Sequence, residues 1–436
     1  MKRQIPNDLP YEKVVTNIEF IEKVIGKEWL NKSGNKYNAL RELWLRTDFL
    51  STIELYTLGT ALKNIECNEN RDWINDFIKQ IKSSNHDNIV GVCFEAIAYS
   101  LYSSDNEAML SKPGQPGYDF SAKTDAGEVR FSCKKLQESD EEKKLKQEFK
   151  YIEKVFKEQL TKYRLTGKQL FFYSHRNSRV PSRNALKKHI SRVVSENVKQ
   201  SRIGEFDILL KDLSSDVEGF NFTDLEPSYA VNMVAAHSSN EQKRFERLFK
   251  NAVKNISKHS TVEPGKSVNA IIMSLPESIS IEKARGWLEN KFKSDGSKVG
   301  FVMLIRSLPA NSKDDNSTVT VHEIGLVVNL NSTSTLLDLI NKKAGDYFKL
   351  SVPVGVVSMK ECQNVIYSDI GSMDVSSSYI FQKAAFNYHC NLVEPADFNI
   401  NAQPSCSYAL YVEQRGNNKI RKIEFIRPPE SNFVLL

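Results

Sequence analysis

Apolar residues recur at helical spacing through roughly the first 85 positions, so the chain is expected to begin as an all-helical region. Glu12–Glu28 carries Val14, Val15, Ile18, Phe20, Ile21 and Ile25, and Tyr37–Ile65 carries Leu40, Leu43, Trp44, Leu50, Ile53, Leu55, Leu58 and Leu62. Asp72–Ile81 adds a shorter piece. Asn88–Tyr102 is a mostly apolar helix with one acid, Glu95. Short β-type runs follow at Ala108–Ser111, Gly117–Ser121 and Glu128–Leu136, with Asp125-Ala126-Gly127 as a hairpin turn.

A charged helix is predicted over Asp140 to about Leu165, closed by Gly167, then a strand over Lys168–Tyr173 and a helix over Ser182–Val198 with Ser182 as N-cap. This helix–strand–strand–strand–helix–strand–helix order predicts a small α/β sandwich at about 86–203. Beyond about Gly204 the pattern alternates again. Strand-like runs fall at Asp207–Leu213, Val268–Leu275, Val299–Ile305, Val319–Leu330 and Ser351–Val357, and helices at Asn240–Ser257 and Ser280–Lys293. The fully apolar runs at 268–275 and 299–305, joined through a helix, point to parallel pairing. The expected organisation is a helical region (1–85), an α/β core (86–203) and a second α/β region (204–436) for recognition or assembly.

Composition excludes several classes. The 436 residues are 40% hydrophobic and 26% charged, ordinary for a folded protein of two or three domains. No run of about 18 apolar residues is present, so no membrane partner is expected. MKRQIPNDLPYEK does not read as a signal peptide. Six scattered cysteines suit neither a zinc knuckle nor a disulfide framework and favour a cytoplasmic location. Neither a phosphate-cradling Gly-x-x-x-x-Gly-Lys-Ser/Thr loop nor a Gly-x-Ser-x-Gly elbow occurs.

Charge sharpens the picture. The formal net charge is +6, yet eleven Lys or Arg lie between Lys162 and Arg202 against one acid, Glu196. Such a local excess suits phosphate contacts, which release condensed counterions. Arg176 and, on the 182–198 helix, Arg183, Lys187, Lys188 and Arg192 are the expected contacts.

The chemistry concentrates at 114–136, GQPGYDFSAKTDAGEVRFSCKKL. Strand alternation puts Arg130, Ser132 and Lys134 on one face and Val129, Phe131, Cys133 and Lys135 on the other. Asp119, on the hairpin partner, falls opposite the polar row. With Glu95, a carboxylate beside a lysine supplies the parts for hydrolysis assisted by a hard cation, Mg2+ or Mn2+.

This stretch resembles the PD-(D/E)XK nuclease superfamily, in which an Asp after a turn precedes an acid–apolar–Lys triplet on the next strand. Asp119 in Pro116-Gly117-Tyr118-Asp119 matches the first element, with Tyr118 where the family has Pro. Ser132-Cys133-Lys134 matches the triplet except at its first position, and Glu95 matches an acid on the leading helix. Gln159-Leu160-Thr161-Lys162-Tyr163 matches the Gln-x-x-x-Tyr of the RecB-like branch, Gln147–Tyr151 having the same spacing. The resemblance covers about residues 88–175.

It implies a restriction-endonuclease-like core and phosphodiester hydrolysis in DNA. Asp119, Lys134, Glu95 and Ser132 would then be catalytic, and Asp119, Glu95 and Glu148 metal ligands. Glu148 enters because relatives with Ser in the triplet move the missing acid to the following helix; Glu138, Glu141 and Glu142 are alternatives. Gln159 and Tyr163 would touch the substrate strand. Asn, Lys, Ser and Ile richness suits a low-GC bacterial source, where defence or repair is a natural role. Two other expectations stand beside it: a nuclease-like fold that binds nucleic acid without cutting, and a non-enzymatic assembly protein that pairs with itself or a partner through the N-terminal helices or C-terminal region.

Overall fold

The structure, a computed structural model, describes most residues from Arg3 to Asn329; the longest omissions before that point lie at 213–228 and 175–180. Beyond Asn329 it describes strands alone. The chain begins with α1 (Tyr11–Ile25), α2 (Lys27–Asn31), α3 (Ala39–Leu45), α4 (Phe49–Cys67), α5 (Arg71–Lys82) and α6 (His86–Ser103). Strands β1 (Glu107–Leu110), β2 (Phe120–Thr124) and β3 (Gly127–Lys135) follow. Next come α7 (Asp140–Tyr163), β4 (Lys168–Ser174), α8 (Arg183–Ser195), β5 (Gln200–Ile203), β6 (Phe206–Asp212) and β7 (Tyr229–Ala236). Then α9 (Asn240–His259), β8 (Ser267–Leu275), α10 (Ile281–Ser294), β9 (Val299–Ser312) and β10 (Thr318–Val328) complete the continuous part. The remaining strands are β11 (Cys362–Gln363), β12 (Ser378–Lys383), β13 (Phe386–Asn391), β14 (Tyr408–Arg415) and β15 (Asn418–Phe425).

Two compact units result. The first joins Met1–Gln137 to Gln242–Cys362 and Ser431–Leu436, and the second joins Glu138–Glu241 to Gln363–Glu430. The first unit is built on a mixed sheet in the order β1-β2-β3-β8-β9-β10. Its three central strands, β3, β8 and β9, are parallel, and antiparallel strands flank them. All nine residues of β8 are buried, as a strand covered on both faces requires.

Each face of this sheet has its own core. On one, Phe120, Val129, Phe131 and Cys133 pack with Ile21, Leu58, Phe77, Phe94 and Tyr102 from the N-terminal helices. Phe131 lies 4.8 Å from the Phe120 ring and 4.4 Å from that of Tyr102. On the other, Ile271, Met273, Val302 and Leu304 pack with Phe245, Phe249, Trp287 and Leu288 of α9 and α10. Gly127 opens β3 at φ +145°, where a Cβ would stand 2.6 Å from the Lys266 carbonyl oxygen. Only glycine lets β3 start this close to β8.

The second unit has the sheet order β12-β13-β7-β4-β6-β5. Its core joins Ile152, Phe156 and Leu160 of α7 and Leu186, Ile190 and Val193 of α8 to Leu170, Phe172, Ile208 and Val231. β14 and β15 form an antiparallel pair.

The mixed α/β class is as expected, but the partition differs. The N-terminal helices share one core with α6 and β3, so no boundary falls near 85. The expected 86–203 sandwich is divided at Gln137: β1–β3 belong to one sheet, and β4 to the other. The helix and strand that extend the β1–β3 sheet are α9 and β8, with Glu128 of β3 opposite Ser267 of β8. The strand expected at Ser351–Val357 lies outside the described residues.

Candidate active site

Asp119 sits where the turn at Gly117 hands the chain to β2. Gly117 has φ +128°, a conformation that suits glycine, and a Cβ there would lie 3.2 Å from His259 Cβ. Backbone bonds hold Asp119 from both sides: its N–H donates to the Phe131 carbonyl (2.8 Å), and its carbonyl accepts from the Ser111 N–H (3.0 Å). The side chain therefore lies toward the C-terminal end of β3, just before β2 begins. Open α/β sheets place ligands at such ends of their parallel strands.

There Asp119 Oδ2 accepts a hydrogen bond from the Cys133 N–H at 2.6 Å. Lys134 Nζ lies 3.6 Å from the same oxygen and donates to the Cys133 carbonyl at 2.7 Å. Glu95, from the middle of α6, is close enough for its charge to act on both. Burial pushes the Glu95 carboxyl up to about 8; Asp119 and Asp76 add to this and Lys134 opposes it. For Lys134, burial pulls the ammonium down, but Asp119 and Glu95 outweigh it and leave it above its ordinary value. The Cys133 thiol is raised well above its usual range, first by burial and then by Asp119 and Glu95, which makes it a poor nucleophile.

Of the predicted polar row on β3, only Lys134 reaches Asp119. Ser132 is fully buried, and its hydroxyl has no hydrogen-bond partner among the described residues. Arg130 turns away: it pairs with Glu128 at 2.8 Å, donates to Ser260 Oγ at 3.2 Å, and lies 5.5 Å from the Tyr118 ring centroid. On the opposite face, Lys135 donates to Ser274 Oγ (3.3 Å) and covers the Phe94 ring.

The other expected site residues belong to the second unit. Glu148 accepts two hydrogen bonds from Arg183 Nε, at 3.0 and 3.2 Å, and one from Nη2 at 2.9 Å. Gln159 is buried and accepts from Ser191 Oγ at 2.9 Å, which ties α7 to α8. Tyr163, four residues on, is exposed. Arg183, Lys187, Lys188 and Arg192 are all exposed on α8, whose Leu186, Ile190, Val193 and Val194 are buried. Arg176 lies outside the described residues.

The donor set suits a hard divalent cation within limits. Asp119 and Glu95 are two carboxylates opposed by one ammonium. Mg2+ commonly takes one or two carboxylates and completes its shell with water and phosphate oxygens. Among the described residues no group of three or more His, Cys, Asp or Glu is arranged to hold a metal.

Two features escaped sequence reading. The charge of Asp76 of α5 acts on Glu95, although α5 reads as an ordinary amphipathic helix. Ser111, which binds the Asp119 backbone, carries no motif that singles it out. No helix among the described residues is long and apolar enough to cross a membrane. A scan against protein-family models, a search of curated proteins and a search of solved structures each returned no match.

Proposed function

We propose that the chain is a metal-dependent nuclease that hydrolyses phosphodiester bonds in DNA. The observation that carries this reading is the convergence of Asp119, Glu95 and Lys134 at one end of the first unit's sheet. The element order supports it: a helix bearing Glu95, three antiparallel strands, then a crossover through α9 to a parallel strand. The resemblance took the helix at 140–165 as the one that follows the triplet; that helix belongs to the second unit, and α9 takes its place in the first, with Glu138–Glu241 inserted between β3 and α9.

Asp119 and Glu95 would hold Mg2+ or Mn2+, which when bound polarises a phosphoryl oxygen and acidifies water. Asp119 is aimed by the Cys133 N–H, which fixes one carboxylate oxygen and leaves the other for a ligand. Lys134 stays cationic at neutral pH. Its role is therefore to orient the attacking water and oppose negative charge at phosphorus, not to remove a proton. Burial favours the protonated form of Glu95, so a cation held there would have to displace that proton. The exposed cations of α8 supply a sequence-independent phosphate contact.

A second reading, nucleic-acid binding without cutting, draws on the uncharged, sealed Ser132 and on the lack, among the described residues, of three such side chains arranged to hold a metal. Incubating the full chain with labelled duplex and single-stranded DNA in Mg2+ or Mn2+ separates the two. Cleavage that disappears with EDTA and in Asp119→Ala is expected; binding with intact DNA in every metal supports the second reading.

A further inference from the structure

An open groove of about 830 Å3 lies in the first unit, lined by Arg71, Trp73, Asn75, Asp76, Lys79 and Lys112 among others. Its volume falls within the range of ligand sites, roughly 300–1,000 Å3. Two links join it to the cluster. Ser111 in its wall donates its N–H to the Asp119 carbonyl, and the charge of Asp76 in its wall acts on Glu95.

The lining has a particular chemistry. Arg71, Lys79 and Lys112 are exposed and have no ion-pair partner among the described residues. Asn70 and Asn75 add amide donors and acceptors. Trp73 is 8% exposed and stacked on Phe77 at 5.6 Å, which gives the groove a rigid wall. The Ser111 hydroxyl is buried without a hydrogen-bond partner among the described residues. Asp72 and Asp76 interrupt the cations. A lone phosphate would meet nearly balanced charge here. A nucleotide chain would not, because it can set phosphates on the cations and base amino groups on the acids and amides.

We propose that this groove binds the nucleotides flanking the bond to be cut, with phosphates on Arg71, Lys79 and Lys112 and base edges on Asn70 and Asn75. The proposal rests on the nuclease reading, and it adds a substrate track in the first unit to the contacts of α8.

The test is fluorescence anisotropy of the full chain with labelled single-stranded and duplex oligonucleotides in EDTA, over a salt series. The triple variant Arg71→Ala/Lys79→Ala/Lys112→Ala is expected to lose about tenfold or more in affinity at low salt, and its plot of log K against log salt flattens by about 2 to 3 units. Asn70→Ala/Asn75→Ala should keep the wild-type slope and change the preference among oligonucleotide sequences. All five side chains lie outside the buried cores, and circular dichroism confirms folding. Unchanged affinity and slope in the folded triple variant, or no binding by the wild type, overturns the groove. Displacement of the oligonucleotide by low millimolar inorganic phosphate, at equal ionic strength, assigns it to a free anion and overturns the nucleotide. A triple variant that loses binding while Asp119→Ala still cuts would keep the groove and remove the proposed cutting centre.

Discussion

The two units each carry a concentration of charge, and they treat it in opposite ways. In the second, charges are solvated or matched: Glu148 meets Arg183 in a forked pair, and Lys187, Lys188 and Arg192 stand in water. In the first, two acids and one ammonium are brought together at a partly buried strand end, and burial raises the Glu95 carboxyl above its ordinary range. Solvated charge attracts a polyanion at little cost to either side. Ionisable groups held out of water store free energy that a cation and a substrate can release. Binding surfaces and reactive centres differ in this respect more than in how many charges they contain.

The contrast breaks most readily at its centre. Lys134→Ala, which removes the single ammonium, should lower cleavage about 10²- to 10³-fold, the usual cost of losing one group that stabilises developing charge. Asp119→Ala should do at least as much and also weaken Mn2+ binding, because it removes a ligand and strands the Cys133 N–H. Lys187→Ala/Lys188→Ala in the second unit should leave the rate at saturating DNA unchanged. Single-turnover cleavage at saturating DNA checks all three.

Glu95 gives the next largest effect. Its folded value of about 8 lies above the ordinary 4.5, so the folded chain holds an extra proton between those limits. Stability from this group is full below about 4.5 and is lost as pH rises through about 8. Glu95→Gln should therefore unfold at a higher temperature than wild type at pH 9 and show little advantage at pH 4.5, in metal-free buffer. Thermal melts across that range would contradict the account if wild type and variant kept a constant offset.

Much of this arrangement is legible in the sequence. A single acid in the apolar run 88–102 marks Glu95, because an acid at such a position needs a reason. Alternation along β3 marks Lys134, and a turn signal marks Asp119. What the pattern does not carry is partnership. Hydrophobic periodicity says which face of an element is buried and is silent about what covers it. Lys135 and Ser274 are bonded across 139 positions, and no local signal announces that β3 pairs with β8 and not with β4. For the same reason Gln159, which has the right spacing for a substrate contact, proves to be buried against Ser191. Ser132 alternates correctly but is sealed, since alternation fixes a side chain's face and not its depth.

The smallest effects sharpen the contrast from the quiet side. Glu148→Ala should leave cleavage and metal binding unchanged, with at most a slight shift in melting temperature, because it breaks an exposed pair. Loss of metal binding in that variant would return Glu148 to the ligand set. Ser132→Ala removes a buried hydroxyl that makes no hydrogen bond, so stability should stay level or rise slightly and cleavage should not change. Melting curves beside the cleavage assay check both.

Calorimetric titration of Mn2+ into the full chain at pH 7, repeated in buffers of different ionisation heat, tests the central claim most directly. A cation that settles between Asp119 and Glu95 must displace the Glu95 proton, so binding should release on the order of one proton per ion. Glu95→Gln should abolish that release, and Asp119→Ala should weaken binding. Binding of equal strength in all three proteins, with no proton released, would contradict the account.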